Sequence, residues 1–180
     1  MKLAISAFLI FNLASFVSVM AQSNYSGQEQ RELKSLSPEE ISGYLTGKGM
    51  GLAKPAELNH FPGPKHVLKL ATQLALSEVQ RTQTETIYEA MRGKAIEYGY
   101  QLVKHEKEIE RLFSEGDVSP MLLEKALNES AKIRAKLRLV HLVAHIEQKV
   151  ILSQAQIRLY DKLRGYSGGH SGNEHKSHKH

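Results

Sequence analysis

Cysteine and tryptophan are both missing from the 180 residues. Without cysteine there are no disulfide staples, no iron–sulfur ligation, no thiolate catalysis and no lipid-modified N-terminal Cys. Aromatic residues amount to 7%, and nowhere do they interleave with basic residues in the way a nucleic-acid-binding motif requires. The formal net charge of +5, with His neutral, is mild and diffuse. It suits an acidic or unfolded-protein partner and gives no case for nucleic acid. Also lacking are a nucleophile–base pair, a Gly-rich phosphate loop opening a helix, and paired carboxylates placed for a cleft. The chain is therefore read as a non-enzyme. At this length it holds one domain plus appendages.

What is present is organised around residues 78–151. Ile87, Met91, Ala95, Tyr98, Leu102, His105, Ile109 and Leu112 recur at alternating spacings of four and three, which keeps one stripe of a helix facing one partner. Leu122, Ala126, Ile133, Leu137, Val140, Ala144 and Ile151 do the same after the turn Ser114-Glu115-Gly116-Asp117-Val118-Ser119-Pro120. That turn supplies a Gly to end one helix, then a Ser N-cap and a Pro at the first helical position. So short a connection folds the second helix back antiparallel on the first. Each arm is roughly 50 Å long at 1.5 Å per residue. The fold class expected is all-α: a long antiparallel hairpin with short flanking helices.

The N-terminus, Met1-Lys2 followed by an apolar run from Leu3 to Met20 and small residues before Gln22, fits a cleavable signal peptide over residues 1–21. An uncleaved membrane anchor is the alternative. Either implies export, and an exported helical body without disulfides points to a bacterial periplasm. Residues 22–63 read as an extended N-terminal segment, polar and loose as far as Leu36, with one short helix. That helix opens at Ser37-Pro38-Glu39-Glu40, a capping box with Pro at the first position, and runs to about Leu45. The Gly-rich stretch that follows, from Lys48 to Asn59, is expected to pack on the hairpin. His66 to Leu74 reads as a short amphipathic helix with Val67, Leu70, Ala71 and Leu74 inward. The helical domain spans 64–165, and 166–180 is a low-complexity His-rich tail.

Two Leu-Ser steps bracket the hairpin: Leu76-Ser77-Glu78-Val79-Gln80 and Leu152-Ser153-Gln154-Ala155-Gln156. In each, Ser serves as N-cap and the Gln three residues on can reach back to the cap amide. Locally they are helix starts and nothing more. Two such Leu-Ser/Thr-x-x-Gln boxes flanking a long helical hairpin behind a signal peptide resemble the LTxxQ family of periplasmic proteins. That family includes Spy- and CpxP-like refolding chaperones and related heavy-metal sensor and resistance proteins such as ZraP and CnrX. Both boxes carry Ser where the name-giving motif has Thr. The resemblance covers roughly Pro64 to Arg164. It implies a four-helix arrangement, often dimeric, in which hairpins cross to form a curved cradle. Some members hold unfolded clients on the concave face. Others bind metal and report it to a membrane-bound sensor.

His141 and His145, four apart, project from one face of one helix, a half-site for Zn, Cu, Ni or Co. Folding the hairpin about Asp117 brings His145 near Glu89 and His141 near Gly93, so Glu85 and Glu89 are the carboxylates within reach as a third ligand. In the resembled CnrX-like sensors a metal-binding His with Met four residues on occupies this helix. Here the Met position holds His145, and of the sensors' N-terminal His pair only His66 lies nearby. His105 falls in the apolar stripe and reads as a core histidine. His170, His175, His178 and His180 form a cluster able to collect divalent or cuprous ions. A second apolar row, Leu139, Val143, Ile146 and Val150, lies beside a basic face that includes Lys132 and Lys136. One partner helix cannot cover so much apolar surface, so the row must meet the N-terminal segment, a second subunit or an unfolded client. The leading expectation is metal binding or sensing in envelope stress. The alternative is an ATP-independent chaperone working through the basic-apolar surface.

Overall fold

The computed structural model describes Ser23–Tyr166. The expected signal peptide and the His-rich tail lie outside these residues. The chain divides into two compact units, residues 1–31 and 32–180. In the first, the described stretch Ser23–Arg31 is made of turns and a bend. The described residues of the second form six helices: α1 (Pro38–Leu45), α2 (Lys54–Glu57), α3 (Pro64–Lys69), α4 (Glu78–Ser114), α5 (Pro120–Ile151) and α6 (Gln154–Leu163). No strand forms among the described residues.

The starts of these helices follow from local chemistry. Ser37, Ser77 and Ser153 each hold an extended backbone and accept from the amide three residues on. Glu40, Gln80 and Gln156 complete the capping boxes at α1, α4 and α6. Ser119 caps α5, with Pro120 at its first position. The two long helices pack on each other more extensively than any other pair. Their cross-links mark opposite directions. Gln80 Nε2 donates to the Ile151 carbonyl at 2.9 Å, Gln148 Nε2 to Thr84 Oγ1 at 3.1 Å, and Ser130 Oγ to Glu106 at 2.9 Å.

Burial along the hairpin follows the expected stripes in part. Met91, Ala95, Leu102 and Leu112 on α4, and Ile133, Leu137 and Ala144 on α5, are buried. Leu122 is exposed, and His105 is half-buried, lining a groove near the turn with Leu112 and Ala126 rather than sitting in the core. The stretch before Ser37 is not loose throughout. Leu33 and Leu36 are buried in one cluster with Tyr44, Leu102, Val103, Ile133 and Leu137. Lys34 and Ser35 bond to Glu110 and Glu106 on α4. The N-terminal segment also holds one more helical turn, α2, than expected.

That segment lies against the hairpin through a close backbone approach at Gly99. A Cβ there would fall 2.2 Å from the Tyr44 carbonyl oxygen, so α1 meets α4 where α4 has no side chain. A second cluster, Val67, Leu74, Leu152, Ile157 and Tyr160, joins α3 and α6 at the open end of the hairpin. Between the two clusters the Gly47–Gly63 stretch crosses the histidine-bearing face of α5.

Candidate functional site

His141 and His145 are both buried, at 3% and 9% exposure, and both stand in the wall of a cavity of about 610 Å3. The opposite wall is the Gly47–Gly51 strap with α2 and the start of α3, and Tyr88 and Met91 of α4 contribute from the side. The helical spacing of four residues places the two imidazoles one turn apart on one face, as the sequence implies.

The rings are held differently. His145 Nδ1 lies 2.7 Å from the Phe61 carbonyl oxygen. A carbonyl can only accept, so Nδ1 is the donor and Nε2 is the ring nitrogen turned away from that bond. Phe61 is itself pinned, its ring lying 3.7 Å beneath Lys149 Nζ. The Nε2 edge faces Gly63. A Cβ on Gly63 would come within 2.9 Å of His145 Nε2 and 3.4 Å of Glu57 Oε2, so the missing side chain keeps open the space between those two atoms. His141 Nε2 is buried without a hydrogen-bond partner among the described residues. Burial, and to a lesser extent the neighbouring His145, push the His141 pKa down. The ring is therefore neutral near pH 7, the form that can ligate a metal.

The carboxylate beside His145 is Glu57 of α2. Glu57 Oε1 accepts from the Tyr160 hydroxyl at 2.6 Å, the Tyr166 hydroxyl at 3.0 Å and Arg164 Nε at 3.2 Å. His66 Nδ1 lies 3.6 Å from the same oxygen, and His145 Nδ1 lies 3.7 Å from Glu57 Oε2. Burial pushes this carboxyl up, but His66 and the two tyrosine hydroxyls outweigh it and hold the pKa at about 2. Burial together with Glu57 drives the Tyr160 hydroxyl well above its usual range, so it remains a donor. Glu57 Oε2 is buried and has no hydrogen-bond partner among the described residues.

Glu89, expected as a third ligand, is exposed and takes no part in the cavity wall. Position along the arm is as expected, but rotation about α4 is not. Tyr88 and Met91 face the cavity, while Glu85 points outward and lies 3.9 Å from Arg81. Nothing in local spacing marks Glu57, because Tyr160, Arg164 and Tyr166, its hydrogen-bond partners, lie about a hundred residues away in sequence. Gly63, between Pro62 and Pro64, is the residue that the structure places against His145. Among the described residues, no three His, Asp or Glu side chains gather closely enough to hold a metal ion. His170, His175, His178 and His180 lie outside the described residues.

The expected client-binding residues form a continuous exposed row. Leu139 is 59%, Val143 37%, Ile146 54% and Val150 83% exposed, and Lys132 and Lys136 are exposed beside them. The N-terminal segment covers the adjacent face of α5, carrying His141 and His145, and leaves this row open. A groove of about 300 Å3 between α4 and α5 borders it, lined by Ile87, Tyr98, Lys136 and Val143 among others. The family-type boxes do more than start helices. Leu152 is buried, Leu76 packs on the same cluster, and Gln80 and Gln156 bond to each other. Among the described residues no helix is long and apolar enough to cross a membrane. In comparisons with known proteins, the chain matches no family model, no curated protein and no solved structure.

Proposed function

We propose that this chain is an exported metal-binding protein of the Spy/CpxP kind, with His141 and His145 as the metal-ligating pair. The observation that carries this reading is the pair of buried imidazoles in one cavity wall. One is oriented by a backbone carbonyl in the manner of a ligating histidine, and the other has an unpartnered ring nitrogen. The donor set fits a borderline ion such as Zn, Cu, Ni or Co. Glu57 Oε2 is the carboxylate oxygen available nearby, across the space left by Gly63. A bound ion would supply the positive charge that these buried acceptor atoms lack. The fold would then present metal occupancy to a partner through the N-terminal segment packed over the site. Titration calorimetry of the exported chain with Zn, Cu and Ni tests this. Submicromolar binding weakened by His141→Ala and by His145→Ala is expected. Equal binding by wild type and both variants would remove the reading.

A second reading rests on a different observation, the open Leu139–Val150 row flanked by Lys132 and Lys136. Apolar groups among basic ones suit the capture of acidic unfolded chains, with charge guiding encounter and apolar contact holding. The same row is the surface on which two copies would pair, if the chain is dimeric like its resembled relatives. Suppression of client aggregation in the absence of metal supports holdase activity; failure to suppress it would count against that role.

A further inference from the structure

Methionine is scarce in this chain, five residues in all, and cysteine is absent. Two of the five, Met50 and Met91, stand in the wall of the same cavity as His141 and His145. Met91 is buried on α4, while Met50 belongs to the Gly47–Gly51 strap. The strap passes close over one imidazole: a Cβ on Gly49 would lie 3.8 Å from His141 Nδ1. A tight turn presents Met50 there. Leu52 N donates to the Gly49 carbonyl at 2.7 Å, and the two residues between have positive φ, 39° at Met50 and 80° at Gly51. Glycine adopts that backbone freely, but for Met50 it carries a cost that the surrounding structure must sustain. The Met50 sulfur rests against Gly43, where a Cβ would meet it at 2.1 Å. The three rotatable bonds of the side chain leave that sulfur free to turn into the cavity.

These donors select for softness. Among the described residues the two imidazoles gain no third His, Asp or Glu to form a ligand set. Zn2+, Ni2+ and Co2+ ask for a fuller shell of nitrogen and oxygen. Thioether sulfur is a soft donor that suits Cu(I), an ion satisfied by few ligands. Charge favours the same ion. Glu57 is already paired with Arg164 at 3.2 Å, and imidazole and thioether are neutral ligands. A monovalent ion therefore costs less to desolvate here than a divalent one. We infer that the cavity is a cuprous-ion site, in which the thioethers of Met91 and Met50 join His141 and His145. This rests on the reading of the two histidines as metal ligands and names the ion they hold. Because Met50 belongs to the segment packed over α5, occupancy of the site fastens that segment to the hairpin.

The test presents Cu(I), kept reduced under anaerobic conditions, to the exported chain as its complex with the chelator bicinchoninate, and measures Zn2+ alongside by calorimetry. Wild type should withdraw Cu(I) from the chelator and bind it more tightly than Zn2+. Met91→Leu and Met50→Leu combined should weaken Cu(I) binding by about tenfold or more and leave Zn2+ affinity unchanged. His141→Ala should weaken both ions. Leucine keeps the volume and apolar character of methionine, so the double Met variant keeps its fold. Copper X-ray absorption gives a second readout. In a chain without cysteine, sulfur around copper comes from methionine alone. Met1 and Met20 fall in the expected signal peptide, and Met121 lies roughly 30 Å along α5 from His141. Sulfur scattering should be present in wild type and lost in the double Met variant. If that variant matches wild type in Cu(I) affinity or in its copper shell, the thioether proposal is overturned, while the half-site reading stands on the His141→Ala result. If His141→Ala and His145→Ala also leave both ions bound as in wild type, both are overturned. Tighter binding of Zn2+ than of Cu(I) by wild type overturns the choice of ion.

Discussion

The side-chain amides of Gln80 and Gln156 bond to each other in both directions, each Nε2 donating to the other's Oε1 at 3.0 Å. Each amide also closes its own capping box, accepting from Ser77 N at 3.1 Å or Ser153 N at 2.9 Å. The remaining N–H of Gln80 reaches the Ile151 carbonyl at the end of α5, and that of Gln156 reaches the Leu74 carbonyl before α4. Every donor and acceptor of both amides is used, and the starts of α4 and α6 are tied to each other. Two boxes separated by 76 residues thus form one clasp at the open end of the hairpin.

Removing either half of the clasp should cost more than a helix cap alone. Gln80→Ala leaves the Gln156 amide and the Ile151 carbonyl short of partners, and a loss of about 1–3 kcal/mol is expected. Gln156→Ala should cost a similar amount. The double variant should lose less than the sum, with a coupling of about 0.5–3 kcal/mol. Urea unfolding followed by circular dichroism measures all three. Strict additivity would show that the two boxes act as independent caps.

Gly99→Ala places a methyl group 2.2 Å from the Tyr44 carbonyl oxygen and 2.7 Å from its carbon. Backbone cannot yield as a flexible side chain does, so α1 must lift from α4 and loosen the cluster of Leu33, Leu36 and Tyr44. On helix propensity alone the change would stabilise α4 by up to about 1 kcal/mol. A net loss of about 1–3 kcal/mol is expected from overpacking. The melting temperature decides between the two, and a rise would mean that α1 does not sit where the structure places it.

The contrast between Gln80 and Gly99 marks what the sequence could disclose. Ser77 and Gln80 announce a helix start within four residues, and the Ser119-Pro120 pair does the same for α5, so element boundaries were legible from local chemistry. The stripes of α4 and α5 announced helices, and the Gln80–Ile151 and Gln148–Thr84 bonds run the two in opposite directions. What joined the boxes to each other, and brought Tyr44 to Gly99 or Glu57 to Tyr160 and Arg164, is tertiary, with partners dozens of residues apart. His141 and His145 were recognisable as a pair, but their carboxylate neighbour was not. A rotation of α4 by one or two residues separates the exposed Glu89 from Tyr88 and Met91 in the cavity wall. Leu33 and Leu36 were overlooked because two apolar residues in a polar stretch carry no periodicity to detect.

Acid should destabilise the protein in two windows. Burial and the neighbouring His145 lower the folded-state pKa of His141 below its ordinary 6.5, so the folded state resists a proton that the unfolded chain accepts. Stability from this group is present above about 6.5 and is lost as pH falls below it. Glu57 is held at about 2 against an ordinary 4.5, so its contribution is present above 4.5 and lost between there and about 2. Urea midpoints measured across pH should fall first below 6.5 and again below 4.5. His141→Gln should flatten the first slope and Glu57→Gln the second. A midpoint in wild type that stays constant from pH 7 to 5 would contradict the first assignment.

The Leu139–Val150 row allows stability and interaction to be separated. Ile146 and Val150 are 54% and 83% exposed, so replacing either by a polar residue uncovers no core. Ile146→Asn and Val150→Asn should each change unfolding free energy by no more than about 0.5 kcal/mol. His141 and Gln148, which face inward from the same turns of α5, are untouched by such changes. If the row holds clients or a second copy, the double variant should lose aggregation suppression, or dissociate in sedimentation velocity, while keeping its fold. Loss of charge at Lys132 and Lys136 should instead slow capture and reduce its dependence on salt, since exposed charges act chiefly on encounter. A double variant that suppresses aggregation and self-associates as wild type does would assign the row no role in either.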